Sequence, residues 1–274
     1  MAHLTEPKVH MGTITGGEAR ELLAQKPVIL LPMGSHEDQG PHAPMGDYLL
    51  AEKMAELAAL RATEMGTRTL VAPVLPFGGA DHFGPMIGGI AISQATLNRV
   101  LEDMFGSLFR NGLTRVIVIN GHGGNVGPIA EVTREIYRRD GTLIPSLYLW
   151  RIAYGLLPGI LGAEKAKAVS GHGADPLTSL GLHLFPEMMR PDMVPSGQPL
   201  KRNAKLDIPH MTLGAGSFEG AEVGLPIEYD EVYNQGVGGG DPKLSSAETG
   251  TALVEKLTGL CARFIRHYDQ RVPA

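Results

Sequence analysis

The chain has 274 residues, 43% hydrophobic and 19% charged, with a formal net charge of -5, which provides for a sizeable core and gives no electrostatic reason to seek nucleic acid or an anionic membrane surface. Its single cysteine, Cys261, excludes an intramolecular disulfide and a cysteine-based metal site. There is no run of about 18 apolar residues and no basic segment followed by an apolar one near the start, so neither a membrane span nor a signal peptide is expected, and the cytoplasm is the default location.

In chain order, the first buried strand is expected over residues 27–33 (PVILLPM), an apolar run stopped by glycine. A helix over 47–60 follows, with apolar positions recurring at three and four residues. The second strand is expected over 70–77 (LVAPVLPF). The next helix spans 93–110, with Ser93 as its N-cap and Gly112 as its stop signal. The third strand, 115–120 (RVIVIN), leads to a helix over 126–139, and a weaker strand pattern covers 143–150. A last helix is expected over about 246–268, where Cys261 joins Leu260, Phe264 and Ile265 in an apolar pattern and reads as buried filler. Residues 191–241 are rich in Gly, Pro and charge. Only one helix follows them, so they read as a long structured loop that covers an active site or meets a neighbouring subunit, and not as a linker.

Strands alternating with helices imply right-handed βαβ units. The fold class expected is therefore α/β: one domain over 1–274, a layered, mostly parallel sheet with helices on both faces. Ligands bind such sheets beyond the carboxyl ends of the strands. The loops at those ends are GSHEDQGPHAPMGD, GGADHFGP and GHGGN, all glycine-rich and all carrying histidine. They contain His36, His42, His82 and His122, and the first also holds Glu37, Asp38 and Asp47. His172 lies in a further glycine-flanked loop, SGHGAD. Histidines with carboxylates beside them at strand ends point to a metal site; without thiolates the donor set suits Zn, Mn or Fe. A cation held from one side polarises a carbonyl and acidifies a bound water, the minimum apparatus for amide hydrolysis.

GSHEDQGPHAPMGD resembles the first signature of the creatininase family, NGHGGN its second, SGHGADPLTS its third, and GVGGGDPKLSSAETG its segment before the last helix. The resemblance runs from about Pro27 to the final helix, with the motifs in the family's order. It implies a layered α/β fold, often hexameric, and hydrolysis of C–N bonds in cyclic or linear amides at two divalent metals bridged by an aspartate. Carried over residue by residue, it makes Glu37 and His122 ligands of the first metal and Asp47 the bridging aspartate, the last with a one-residue gap. The departures concern the second metal. Gln39 stands where the family has a histidine, Gly124 where creatininase has a carboxylate, and Leu177 where a glutamate precedes Thr-Ser. One tightly held metal is therefore expected, with His36, His42 or Asp175 as candidate substitutes at a second site.

Asp47 has a second reading as the cap of the following helix. His42 either ligates a metal directly or orients a ligand. His82 is expected to line the substrate pocket with Asn125, although Asn120 and Asn125 also suit a role in fixing loop geometry. Trp150 and Tyr154 are candidates for the pocket wall, with burial in the core the favoured reading of Trp150. His172 is the candidate acid/base, with Asp175 its rival. The function expected is metal-dependent hydrolysis of a small cyclic amide, lactam, imide or formamide by a homo-oligomer. Two alternatives stand beside it: single-metal isomerase, lyase or C–C hydrolase chemistry on a small oxo acid, and a non-catalytic metabolite-binding relative.

Overall fold

The computed structural model of the protein describes residues 8–79, 82–197 and 199–273. Helix α1 (Gly16–Ala24) opens on a capping box between Thr15 and Glu18. Strand β1 (Val28–Met33), helix α2 (Tyr48–Glu64), strand β2 (Thr69–Val71), helix α3 (Gln94–Arg110), strand β3 (Val116–Asn120), helix α4 (Val126–Asp140) and strand β4 (Ser146–Tyr148) follow. The sheet order is β2-β1-β3-β4, with every pairing parallel. Short helices α5 (Leu149–Leu156), α6 (Pro158–Leu161), α7 (Ala163–Val169) and α8 (Leu177–Leu184) come next. The chain then forms β5 (His210–Thr212), β6 (Ala215–Phe218), β7 (Ala221–Gly224), α9 (Tyr229–Val232) and the long α10 (Ala247–Arg271).

Every residue of β1, β2 and β3 is buried, as expected of strands covered on both faces. On one face Val28, Leu30, Ile117 and Ile119 meet the apolar sides of α2, α5, α8 and α10. On the other, Ile29, Leu31, Val116 and Val118 meet Leu97, Leu101 and Phe105 of α3 and Ile129, Val132 and Ile136 of α4. The expected layered α/β fold is what forms. Cys261 is buried among the residues packed by α10.

The elements differ from expectation where proline and glycine intervene. β2 ends at Val71 and not at residue 77, because Pro73 and Pro76 have no N–H to give a ladder. Only an isolated bridge between Met33 and Leu75 continues the pairing. β4 begins after Pro145 and hands over at once to α5, so Trp150 lies on a helix. The stretch 191–241 is more than loop. β5, β6 and β7 make an antiparallel sheet, and Ile208, Leu225, Ile227 and Val232 form a small apolar cluster beside it. Among the described residues, no helix is long and apolar enough to cross a membrane.

Candidate metal centre and substrate cavity

Two parallel strands deliver the central residues. Glu37 follows the end of β1 by four positions, His122 follows β3 by two, and Asp47 stands at the start of α2. Gly34 makes this convergence possible: a Cβ there would lie 2.5 Å from both Asp47 Oδ1 and the Tyr48 Cα, so the strand end and the helix start can touch only through glycine. Asp47 caps nothing with its side chain. Its Oδ1 accepts from the Ser35 N–H at 2.7 Å, and its Oδ2 turns to His122 Nδ1 at 3.2 Å. The capping reading of Asp47 is thus not what the side chain does.

Glu37 Oε2 lies 3.1 Å from the same His122 nitrogen, and the three residues are only 3–5% exposed. One candidate donor atom from each lies within 4.8 Å of the others. Burial opposes ionisation of Glu37, but the summed pull of His122, His172 and Ser35 holds it below the usual carboxylate range. Burial and the charge of Glu37 push Asp47 up. Burial also disfavours a charged His122 ring, yet the two carboxylates raise it well above an ordinary histidine. Two buried acids sharing one imidazole nitrogen, with Glu37 Oε2 lacking any hydrogen-bond partner, form a donor set short of positive charge. A divalent cation fits it.

Gln39 sits beside this cluster as a donor, its Nε2 bonding to Glu37 Oε1 at 2.9 Å. Asn120 fixes the His122 backbone from both sides, accepting from its N–H at 3.0 Å and donating to its carbonyl at 2.7 Å. Asn125 is buried away from the cavity. Its Nδ2 donates to the Gly34 carbonyl at 3.1 Å, while its Oδ1 accepts from the Gly79 N–H at 3.0 Å, clamping the three strand-end loops together.

A cavity of about 490 Å³ opens over the cluster, lined by Glu37, Gln39, Asp47, His82, Phe83, His122, Tyr148, Trp150, Arg151, Tyr154, His172, Thr212, Leu213 and Tyr233 among others. His82 is on this wall; Asn125 is not. His172 Nε2 lies 2.8 Å from the Asp38 carbonyl, so that nitrogen carries the proton and donates. The His172 ring packs against Phe83, Tyr229 and Tyr233 at centroid distances of 5.2–5.3 Å. Burial holds it below an ordinary histidine pKa. Trp150 donates its indole N–H to the Gly121 carbonyl.

Asp175 is not brought to the cavity. Its Oδ1 accepts from the Ser179 N–H in the first turn of α8, and burial pushes its carboxyl up. His36 packs its ring near Tyr48, at 6.0 Å between centroids, outside the cavity wall. His42 is fully buried, with Nε2 3.0 Å from Thr178 Oγ1; that hydroxyl donates to the Gly173 carbonyl, so the histidine braces the loop carrying His172. Neither residue joins the cluster found among the described residues. Gly124 also leaves no place for a carboxylate. A Cβ there would fall 2.4 Å from the Gly79 carbonyl and 2.7 Å from His122 Nε2.

Phe83, Tyr148, Arg151, Thr212, Leu213 and Tyr233 line the cavity without having been singled out from the sequence. Tyr148 and Arg151 stand at the carboxyl end of the fourth parallel strand, so the strand-end rule applied to that weaker strand would have pointed to them. Thr212, Leu213 and Tyr233 arrive from the segment expected to cover an active site, though not as particular residues.

A buried Glu–Asp–His cluster under a cavity at the carboxyl ends of a parallel sheet is the arrangement of a metal-dependent enzyme of α/β architecture. A model of the creatininase family, described as creatinine amidohydrolase, matches residues 12–265. The chain belongs to the creatininase family. It is 29% identical over 287 residues to the 3-dehydro-scyllo-inosose hydrolase of Thermotoga maritima, covering 97% of this chain and 85% of that protein. It is 27% identical over 265 residues to the mycofactocin precursor peptide peptidase of Mycolicibacterium smegmatis, with 94% and 91% covered. Solved creatininases of manganese and Zn–Zn type superpose with TM-scores of 0.73 and 0.72 at 24% identity, covering 95% of this chain and 98% of each. That likeness shows the fold.

Proposed function

We propose that this metal-dependent hydrolase cleaves the C–N bond of a small amide, with Glu37, Asp47 and His122 holding one divalent metal, Zn, Mn or Fe, and His172 moving the proton. The observation that carries the reading is the convergence of two buried carboxylates on one imidazole nitrogen beneath the cavity. A cation bound there supplies Lewis acidity toward the substrate carbonyl and toward water. Glu37 and Asp47 offset its charge, and Gln39 holds Glu37 in position. His172 keeps its Nε2 proton on the Asp38 carbonyl, which leaves Nδ1 to take a proton from the attacking water and return it to the leaving nitrogen. Phe83, Tyr229 and Tyr233 exclude water around that ring. His172 suits this role better than Asp175, whose carboxylate is engaged at α8.

The proposal includes a cytoplasmic homo-oligomer, hexameric by family resemblance, with a small-molecule substrate and neither nucleic-acid nor membrane partners. The relatives' names cover an inosose, a peptide precursor and creatinine, so a screen should hold lactams, hydantoins, formamides and cyclic ketones. Glu37→Gln and His122→Ala should lose both bound metal and turnover, whereas His172→Ala should lose turnover and keep the metal. Metal analysis alongside the screen decides it: full turnover in either ligand variant, or two tight metals per chain, would overturn the assignment.

A further inference from the structure

Among the described residues, the wall of the cavity carries one residue whose charge no ion pair answers. Glu37 and Asp47 are the wall's only acids among the described residues, and both belong to the candidate metal cluster, where a divalent cation would offset them. Among the described residues Arg151 is the only lysine or arginine on the wall, and no carboxylate pairs with it. With the metal charge balanced, the guanidinium is what an entering molecule meets as uncompensated charge.

Exposed arginines are usually solvated surface, but this one is placed. Its helix, α5, is anchored by the buried Trp150 and Ala153 on either side of it in sequence. Its guanidinium carbon stands 5.5 Å from the centre of the Tyr148 ring, which also lines the cavity. A ring face orients the planar group and leaves its edge free to donate two parallel hydrogen bonds. Beyond it the cavity meets a recess of about 320 Å³, which shares Tyr148 and Arg151 and continues along Ser146 and Ile152. The arginine therefore borders both spaces.

We propose that Arg151 docks an acidic group of the substrate, so that the site selects amides carrying a carboxylate at a distance from the scissile bond. This rests on the metal-hydrolase reading above and names the substrate class for the same site. Exposure makes the arginine weak toward surface acids in the free protein. A substrate that covers it removes the water and strengthens the fork of hydrogen bonds.

The test uses metal-loaded protein and binding in place of turnover. Hydroxamates of graded chain length, each ending in a carboxylate or in the matching carboxamide, are titrated calorimetrically. At the best length the acid should bind about tenfold more tightly than its amide, as a charge-assisted pair predicts. Arg151→Met should erase the difference, and Arg151→Lys should keep part of it. Thermal melts of the variants check that folding is intact. Equal affinity for acid and amide at every length, or an acid preference that survives Arg151→Met, overturns the proposal while the hydrolase reading stands. Failure of every hydroxamate to bind the metal-loaded protein would sink both.

Discussion

By the family resemblance Gln39 stands where a metal-binding histidine is usual, and its geometry predicts a different job. Its amide nitrogen is 2.9 Å from Glu37 Oε1, with both side chains at least 96% buried, so it donates to the carboxylate proposed to hold the metal. A hydrogen bond to a charged group contributes about 1.5–3 kcal/mol, and removing a partner that orients a metal ligand typically weakens binding about 10–100-fold. The two figures agree, since 10–100-fold corresponds to about 1.4–2.7 kcal/mol. Gln39→Ala should therefore bind its metal about 10–100-fold more weakly while still binding one equivalent per chain. Competition against a chromophoric chelator measures both affinity and stoichiometry. Unchanged affinity would refute the reasoning. So would a wild-type protein that binds two equivalents tightly and loses one on substitution, because Gln39 would then be holding a metal through its own oxygen.

Gly124→Ala should lower the melting temperature by about 2–12 °C, since overpacking costs about 1–3 kcal/mol and its Cβ would press on a backbone carbonyl. A melt indistinguishable from wild type would show that the loop yields and that a carboxylate fits there after all. Burial keeps His42 and His210 below the ordinary histidine pKa of 6.5, so the folded chain holds them neutral where the unfolded chain protonates. The stability this provides is present above about pH 6.5 and is lost as the pH falls below it. Urea midpoints at several pH values should fall more gently in His42→Asn than in wild type; an identical slope would remove His42 from the account.

The central sheet was legible because strands buried on both faces leave apolar runs with no polar alternation, as VILLPM and VIVIN do. Helix α3 announced itself through Ser93, which accepts from an N–H three residues on, whereas Ser246 does the same at α10 without having been singled out. The small sheet was not legible, for its three short strands read HMT, AGSF and AEVG, with too few apolar residues to show a period. For the site, strand ends and signature motifs together brought out Glu37, Asp47, His122 and His172. They did not separate histidines that face the cavity from His36 and His42, which follow the same strand but turn elsewhere. Direction of a side chain within an irregular loop depends on turns such as those at Gly40 and Gly46, whose positive φ has no counterpart in residue spacing.

The Asn125 clamp has a consequence for how this architecture changes over time. One side chain holds the Gly34 and Gly79 backbones and reaches Asn120, so the loops around the metal are a single interlocked piece in which an insertion anywhere disturbs all three. The wall supplied by Thr212, Leu213 and Tyr233 is hung separately, on a unit with its own apolar cluster. Divergence toward new substrates has its freedom at the strands that carry Thr212 and Leu213, and grafting of residues 208–227 between relatives, which leaves Tyr229 and Tyr233 on the His172 ring, is the natural route to exchanging selectivity.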